Sequence, residues 1–345
     1  MTAPIAIRPL VEVEGLSRVF DVSRPWLNRV IEGEPRKLLK AVQEVSLEIR
    51  PRETFALVGE SGSGKSTVAK MVVGLLEPSA GRVTIDGVDM WRGSRPGDLA
   101  ELRRRIQMIF QDPYASLNPR WRVGRIIADP IRAFRLTRDA DEVEHRVGEL
   151  LRLVGLDPAD AQKYPHEFSG GQRQRICIAR ALSSQPQFLV CDEPTSALDV
   201  SVQAQILNLM RDLQDQFGLT YLFISHNLAV VRHMATRIGV MYLGRLVEVA
   251  PTGQLFKAPR HPYTRMLLDA VPDLKMTGRQ RKAIEGEIPN PIAPPPGCAF
   301  HPRCPLANDR CRAEPPRSVA GDSGMVACHA VEEGRSMSPA IATAQ

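Results

Sequence analysis

"TFALVGESGSGKST", residues 54–67, passes from a short apolar strand through a glycine loop into the start of a helix. Gly59, Gly64, Lys65 and Ser66 fit the pattern G-x-x-x-x-G-K-[ST], in which backbone N–H groups cradle phosphates. The lysine of such a loop reaches the β- and γ-phosphate oxygens, and the serine hydroxyl ligates Mg²⁺. A strand before the loop and a helix after it make a chance match improbable. The residues predicted to bind nucleotide are Gly59, Glu60, Ser61, Gly62, Ser63, Gly64, Lys65, Ser66 and Thr67.

Apolar strands predict the sheet around this loop. QFLVCDE (187–193) and TYLFISH (220–226) are continuous apolar runs, and a helical pattern at 200–217 separates them. Strand, helix and strand in this order indicate a parallel sheet covered on both faces. The fold class is therefore predicted to be α/β.

The segments that flank this core have a different pattern. Residues 10–20 and 38–49 alternate apolar and polar side chains, as half-buried antiparallel strands do, and residues 21–37 between them are interpreted as a surface loop. Residues 81–90 predict a strand pair with a tight turn, and residues 237–250 predict a hairpin.

Polar side chains stand at the ends of the apolar strands. Asp192 is expected to hold Mg²⁺ through water, and Glu193 beside it to polarise the water that attacks the γ-phosphate, with a role as a loop or cap acid as the alternative. Gln111 and His226 also follow strands, at the edge where ligands of such sheets bind. His226 is predicted to contact the γ-phosphate and the attacking water, although an isolated histidine can be structural. The predicted catalytic residues are thus Glu193, His226 and Gln111, and the predicted magnesium residues are Ser66, Gln111 and Asp192.

Two further motifs, FSGGQ (168–172) and SALD (196–199), complete an ordered set. The set resembles the nucleotide-binding subunit of an ABC transporter over about residues 10–330. The resemblance implies a P-loop NTPase fold over 8–255, with a RecA-like core, an antiparallel β subdomain and a helical signature subdomain at about 112–185. This chain departs from the family pattern at Phe168, which takes the place of the usual leucine before SGGQ.

The resemblance also implies the roles of these motifs. In ABC ATPases two nucleotide-binding domains dimerise head to tail, and each signature turn closes over the ATP of the other domain. This assigns Ser169, Gly170, Gly171 and Gln172 to the γ-phosphate of the partner's ATP, and Ser196, Ala197, Leu198 and Asp199 to the D-loop. Phe20 takes the place of the adenine-stacking aromatic residue, with a core position as the alternative.

Three stretches narrow the resemblance. FQDPYASLNPR (110–120), HPYTRMLL (261–268) and PPPGCAFHPRCPLA (294–307) closely resemble the ATPase subunits of bacterial oligopeptide/dipeptide importers. Such a subunit is implied to pair with a second, paralogous ATPase beneath two permeases, supplied by an extracytoplasmic peptide-binding protein. A permease coupling helix is expected against Asp112 to Arg120, which places the chain at the cytoplasmic face of the cell (inner) membrane. Nickel and glutathione are the alternative cargoes.

Four cysteines, Cys298, Cys304, Cys311 and Cys328, crowd a predicted C-terminal domain at 256–330. Their spacing, C-x5-C-x6-C-x16-C, matches neither a zinc ribbon nor the bacterial ferredoxin pattern. The C-terminal region resembles a cysteine-clustered extension that carries [4Fe–4S] in some members of the importer group. This resemblance ranks a [4Fe–4S] cluster first, Zn²⁺ second and no metal third. Cys177 and Cys191 are predicted core residues, and residues 331–345 a disordered tail.

Composition excludes several classes of function. The net charge is +6, but the interleaved aromatics of a nucleic-acid binder are missing, and Arg103 to Arg105 are interpreted as a solvated helix face. No apolar run could span a membrane, and the N-terminus lacks a secretory pattern, so a cytosolic location is expected. A soluble ABC ATPase of DNA repair or translation would carry a coiled coil or two cassettes, and this chain has one cassette without a heptad run. A subunit that binds ATP without hydrolysing it would lack Glu193 or His226, and this chain has both.

Overall fold

The computed structural model describes residues 8–33, 35–92, 95–270, 286–321 and 324–335. The strands are β1 (Val11–Asp21), β2 (Leu38–Ile49), β3 (Thr54–Val58), β4 (Ala80–Ile85), β5 (Val88–Asp89), β6 (Ile106–Ile109), β7 (Phe188–Asp192), β8 (Thr220–Ile224), β9 (Arg237–Tyr242), β10 (Arg245–Pro251), β11 (Val319–Gly321) and β12 (Gly324–Val326). The described strands form two sheets, ordered β2-β1-β4-β5 and β11-β12-β10-β9-β3-β8-β7-β6.

Helices cover and connect these sheets. They are α1 (Trp26–Glu32), α2 (Lys65–Val72), α3 (Pro96–Arg105), α4 (Pro113–Ser116), α5 (Val123–Ala133), α6 (Ala140–Leu153), α7 (Gly170–Leu182), α8 (Val200–Phe217), α9 (Leu228–Met234), α10 (Thr252–Lys257), α11 (Pro262–Asp269), α12 (Asp309–Ala313) and α13 (His329–Glu332). Short 3₁₀ helices lie at Pro158–Gln162, Pro165–Glu167 and His301–Arg303. None of the helices in the described ranges has the length and hydrophobicity needed to cross a membrane.

The centre of the larger sheet is parallel, as the sequence predicts. Strands β6, β7, β8, β3 and β9 pair in parallel. Their side chains are almost entirely buried because helices cover both faces of the sheet. The carboxyl ends of β3, β6, β7 and β8 therefore meet at one edge. The smaller sheet is antiparallel, and the pairing of β1 with β2 and of β4 with β5 confirms the predicted strand pairs.

The C-terminal part of the chain joins the larger sheet. Strand β12 pairs antiparallel with β10, and β11 pairs with β12. Tyr263 and Phe300, both fully buried, pack with residues of β9 and β10 in one hydrophobic cluster. The buried carboxylate of Glu248 on β10 accepts hydrogen bonds from the backbone N–H groups of Arg260 and His261. These contacts fix the C-terminal segment against the core.

Three expectations need correction. The loop predicted between β1 and β2 contains α1, which ends at Gly33 with a positive φ of 67°. Residues 331–335 of the predicted disordered tail include the end of α13, and residues 336–345 lie outside the described residues. Arg104 and Arg105 are not simply solvated, because they donate to Ser184 and Gln187 on the segment before β7.

Candidate active site

The phosphate loop joins β3 to α2 in a conformation that only glycine adopts easily. Gly59 and Gly64 have φ values of 151° and 100°. A Cβ atom on Gly59 would lie 2.2 Å from the carbonyl oxygen of Met241, and one on Gly64 would lie 2.3 Å from that of Ala41. Both glycines are therefore required for the close approach of the loop to its neighbours.

Lys65 lies beneath the loop. Its ammonium group donates to the carbonyl oxygens of Gly59 at 2.8 Å and Glu60 at 2.9 Å, and to the hydroxyl of Ser63 at 3.2 Å. Burial lowers the pKa of Lys65, and the carboxylates of Glu193 and Asp192 partly oppose this effect. A poorly hydrated cation at this point is suited to a phosphate anion.

Ser66 and Asp192 meet beside Lys65. The Ser66 hydroxyl donates to Oδ1 of Asp192 at 2.9 Å, across 126 residues of sequence. Burial raises the pKa of Asp192, and the hydrogen bond from Ser66 opposes the increase. The hydroxyl and the partly desolvated carboxylate are oxygen ligands of the kind that Mg²⁺ prefers. The cation would in turn neutralise the carboxylate.

Glu193 is held between two neighbouring strands. Its Oε2 accepts a hydrogen bond from Nε2 of Gln111 at 3.0 Å, and its Oε1 lies 2.9 Å from Nδ1 of His226. The backbone of Glu193 has a φ of 46°, which is rare for a residue with a side chain, and its N–H donates to Ile224 at the end of β8. The three predicted catalytic side chains thus form one hydrogen-bonded group.

These residues line a cavity of about 680 Å³. Its walls are Phe20, Leu39, Lys40, Ala41, Ser61, Gly62, Gly64, Lys65, Ser66, Thr67, Gln111, Glu193, His226, Leu243, Gly244 and Pro291. Sequence reasoning missed Lys40 and Leu243, which come from β2 and the β9–β10 turn, and Pro291 from the proline-rich segment. Phe20 lies in the wall as predicted, with the Arg18 guanidinium 4.8 Å from its ring centroid. Glu60 does not face the cavity, because its carboxylate pairs with Arg303.

The signature turn does not line this cavity. Ser169 caps α7 through a capping box, in which its hydroxyl accepts from Gln172 N–H and the Gln172 side chain accepts from Ser169 N–H. A Cβ atom on Gly171 would lie 2.4 Å from Cγ1 of Val202 on α8, whereas one on Gly170 would lie 3.5 Å from Leu198. Gly171 therefore lies against Val202 with no room for a side chain.

The predicted D-loop is connected directly to Glu193. Both the backbone N–H and the hydroxyl of Ser196 donate to the carbonyl oxygen of Glu193. Leu198 packs on Gly170, and Asp199 precedes the first residue of α8. A movement of the D-loop would therefore reach the backbone of Glu193.

All six cysteines are free thiols. Cys177 and Cys191 are buried in the hydrophobic core, as predicted. The thiols of Cys298 and Cys304 have pKa values raised to about 11 by burial, and the other C-terminal cysteines add to the increase. Burial likewise raises the pKa of Cys328.

Hydrogen-bond donors surround these C-terminal thiols. Phe300 and Leu306 donate backbone hydrogen bonds to the thiols of Cys298 and Cys304. Arg335 approaches the sulfur of Cys311 at 3.8 Å. Among the residues that the structure describes, no group of three or more His, Cys, Asp or Glu side chains is arranged to hold a metal ion.

The parallel sheet, the glycine loop at the end of β3 and the acidic pair at the end of β7 together define a P-loop ATPase. Comparison with known proteins specifies the family. A family model described as "ABC transporter" matches residues 42–196, and one described as "Oligopeptide/dipeptide transporter, C-terminal region" matches residues 247–311.

Two relatives and one solved structure illustrate the similarity. The di/tripeptide transport ATP-binding protein DppF of Pseudomonas aeruginosa is 49% identical over 319 residues, covering 92% of this chain and 96% of the relative. The oligopeptide transport ATP-binding protein OppF of Salmonella typhimurium is 44% identical over 329 residues, covering 94% and 96%. A dimeric ATP-binding cassette in a post-hydrolysis state with ADP and Pi superimposes with a TM-score of 0.60 at 27% identity, covering 70% of this chain and 98% of that one.

The chain belongs to the ATP-binding subunits of the oligopeptide/dipeptide branch of the ABC transporter family.

Proposed function

We propose that this chain is the ATP-hydrolysing motor subunit of an importer for di- and oligopeptides. The observation that carries this proposal is the hydrogen-bonded group of Gln111, Glu193 and His226 facing the phosphate loop. All parts of a hydrolytic site are thus present, which argues against a subunit that only binds ATP. The names of the relatives favour peptides as the cargo, and nickel and glutathione are the alternatives.

In this proposal Glu193 orients and polarises the water that attacks the γ-phosphate. Its two oxygens are already occupied by Gln111 and His226, so the carboxylate has one orientation toward the cavity. His226 would then contact both the water and the γ-phosphate. Since its partner atom is Nδ1, the opposite ring nitrogen is left for the phosphate.

Lys65 and the loop N–H groups would hold the phosphates, and Phe20 would stack on the adenine. Bound Mg²⁺ would supply charge neutralisation at the β- and γ-phosphate oxygens. Ser66 and Asp192 would hold it, the latter through water, with Gln111 responding to its presence. The contact of Ser66 with Asp192 at 2.9 Å supports this assignment.

The signature residues Ser169 to Gln172 are assigned to the ATP of a partner subunit. Their position outside the wall of the cavity supports this assignment, as does the 13-residue helix that begins at Gly170 within the motif. A helix N-terminus with glycine backbone suits a phosphate group. We assign the partner to a second, paralogous ATPase, and the D-loop at 196–199 to the same interface.

Asp112 to Arg120 are proposed to receive the coupling helix of a permease. Tyr114 in this stretch is exposed, and the Arg173 guanidinium of the signature helix lies 3.9 Å from its ring centroid. Arg180 of the same helix donates to the carbonyl oxygen of Ser116. The stretch is thus tied to the signature helix, which supports a route from the permease to the ATP site.

The location and assembly follow from this role. We propose a peripheral location at the cytoplasmic face of the inner membrane, beneath two permeases that receive peptides from an extracytoplasmic binding protein. The domain limits remain 8–255 for the nucleotide-binding domain, with its helical part at about 112–185, and 256–330 for the C-terminal domain. The end of β10 at Pro251 supports the boundary between them.

We further propose that Cys298, Cys304, Cys311 and Cys328 bind a [4Fe–4S] cluster, with Zn²⁺ as the alternative. The C-terminal cysteines lie close enough to affect the pKa of Cys298 and Cys304, and backbone N–H groups donate to these two thiols, which supports the proposal. Iron and sulfide analysis of anaerobically purified protein tests this assignment. Zinc without sulfide would favour the alternative, and neither metal would remove the site.

Peptide uptake tests the main proposal. Cells whose only copy of the subunit carries Glu193→Gln are compared with wild type for uptake of labelled di- and oligopeptides. We expect uptake to be lost, because the substitution removes the base and retains the shape of the side chain. The control is Glu149→Gln on α6, an exposed glutamate that pairs with His145.

Normal uptake in the Glu193→Gln cells, with the variant expressed and no second peptide importer present, would contradict peptide import. Nickel and glutathione uptake would then be measured with the same strains. ATP turnover of the purified variant tests the role of Glu193 in hydrolysis independently of which substrate is transported. A decrease of about 100-fold or more is expected for the loss of a general base.

A further inference from the structure

The C-terminal segment holds the phosphate loop at Glu60, a residue that does not line the cavity. The Arg303 guanidinium donates to both oxygens of the Glu60 carboxylate, at 2.8 and 3.0 Å. Glu60 is the second residue of the phosphate loop. The two residues are 243 positions apart in sequence.

A second contact from the same segment reaches the backbone of the loop. The hydroxyl oxygen of Tyr263 on α11 accepts a hydrogen bond from the Glu60 N–H at 2.9 Å. The carbonyl oxygen of Glu60 accepts from the Lys65 ammonium group at 2.9 Å. The side chain, N–H and carbonyl of Glu60 are therefore all engaged, so its peptide units have one orientation.

The surroundings make this connection rigid. The side chain of Arg303 is only 2% exposed, and that of Glu60 is 18% exposed. Arg303 also lies near the hydroxyl of Tyr242, and the rings of Tyr242, Tyr263 and Phe300 pack on one another. Bidentate, poorly hydrated pairs of arginine and carboxylate are geometrically specific, unlike exposed ion pairs.

The charge of Glu60 supplies a further reason for the pair. An uncompensated carboxylate this close to the loop would repel a bound triphosphate. Arg303 neutralises that charge from behind. The C-terminal segment reaches the cavity at another point as well, because Pro291 lines its wall.

We propose that Arg303 is a positioning residue for the phosphate loop, which it holds in the nucleotide-binding conformation through Glu60 with the help of Tyr263. The C-terminal segment then contributes to the ATP site, although it is assigned to a separate domain. This inference rests on the proposed binding of ATP at residues 59–67.

The test is the affinity of the purified full chain for ATP, measured by calorimetry in EDTA so that no turnover occurs. Arg303→Met should raise the Kd for ATP about tenfold, since the buried carboxylate loses its partner. The Kd for ADP should rise by a similar factor. The ratio of the ATP and GTP affinities should stay constant, because the base is not contacted by the phosphate loop.

Three variants separate positioning from general stability. Arg310→Met removes an arginine that pairs with Glu332 and Glu333 in the same C-terminal segment without touching the loop, and it should leave the Kd within twofold. Tyr263→Phe removes only the hydroxyl and should raise the Kd about threefold, even if Arg303→Met fails to fold. In a Glu60→Gln background the effect of Arg303→Met should shrink, since the two residues act as one unit.

Lys65→Ala distinguishes this inference from the proposed function. If Lys65→Ala also leaves ATP binding unchanged, the assignment of the ATP site itself is wrong. If Lys65→Ala abolishes binding while folded Arg303→Met and Tyr263→Phe proteins bind ATP like the parent, only the positioning role is overturned. An equal loss in Arg310→Met would also overturn it, because the effect would then be a general one of the C-terminal segment.

Discussion

Nδ1 of His226 lies 2.9 Å from Oε1 of Glu193, although 33 residues and the whole of β8 and α8 separate them. Gln111 donates to the other oxygen of the same carboxylate. The ends of three neighbouring parallel strands, β6, β7 and β8, therefore meet at one side chain. The left-handed backbone of Glu193 costs about 1 kcal/mol or more, and its persistence requires the surroundings to hold it in place.

Replacing His226 by alanine should slow ATP turnover about 10- to 100-fold, because Glu193 loses one of its two orienting partners and the γ-phosphate a contact. ATP binding should be retained. Steady-state turnover at saturating ATP measures the first quantity, and calorimetry in EDTA measures the second.

The two residues should also act as one unit. In the Glu193→Gln background, His226→Ala should slow turnover much less than it does in the wild type, since the histidine has no carboxylate left to orient. Additive losses in the double variant would show that His226 acts independently of Glu193.

Gly171 of the signature turn should tolerate no side chain. Alanine there would place its Cβ 2.4 Å from Cγ1 of Val202, so we expect a loss of about 1–3 kcal/mol in the free energy of unfolding. The compensating change Val202→Ala should restore much of it in the double variant. Denaturant unfolding of the purified chain measures both.

Gly170→Ala is the matched control, because its Cβ would meet only Leu198 at an ordinary 3.5 Å. A loss as large as that of Gly171→Ala would mean that helix α7 rejects any side chain at its first turn, and that packing on α8 is not the cause.

Local patterns in the sequence predicted the central sheet and the residues at its edge. Strands β3, β7 and β8 are continuous apolar runs, and the carboxyl ends of parallel strands necessarily meet at one edge. Helix α1 was missed because it is short and has few helix signals apart from Pro25 before it and Gly33 after it.

The contacts that fix the loop from behind could not be predicted in this way. The pairing of Glu60 with Arg303 and the contact with Tyr263 join residues more than 200 positions apart, and no periodicity records such a pair. The addition of β11 and β12 to the larger sheet depends on the same long-range packing, since each strand has only three residues.

The buried carboxylate of Asp192 should lower the stability of the nucleotide-free protein relative to an Asp192→Asn variant. Burial raises the pKa of its carboxyl group, so the folded state holds the proton more tightly than the unfolded state. Stability therefore falls as the pH rises from 3.8 through the folded pKa. Asp192→Asn should raise the thermal midpoint in EDTA, because Ser66 can still donate to the amide oxygen.

With Mg²⁺ and ATP present, the wild type should have a higher thermal midpoint than Asp192→Asn, since only the wild type gains stability from the bound metal. Asp215→Asn, an exposed change on α8, should alter neither midpoint. An unchanged midpoint for Asp192→Asn in EDTA would contradict the desolvation argument.

His261 should make the attachment of the C-terminal segment sensitive to acid. Burial lowers the pKa of this imidazole from 6.5 to about 3, and its Nδ1 accepts the Tyr263 N–H at the start of α11. Below pH 6.5 the unfolded chain takes up a proton that the folded chain refuses until about pH 3, so stability is lost as the pH falls through this range. Lowering the pH from about 7 to about 5 should cost about 2 kcal/mol through this group alone.

His261→Asn keeps an acceptor for the Tyr263 N–H but cannot take up the proton. We therefore expect the loss of unfolding free energy between these two pH values to be smaller in the variant, by about the same 2 kcal/mol, even if the variant is less stable at neutral pH. The buried Glu248 accepts the backbone N–H of residue 261 in both proteins, so this contact is the same on both sides of the comparison. His145→Asn, at an exposed position on α6, should leave the pH dependence of the wild type intact. If instead both variants lose stability as steeply as the wild type, the acid sensitivity arises elsewhere in the chain, and His261 holds α11 without acting as a titrating group.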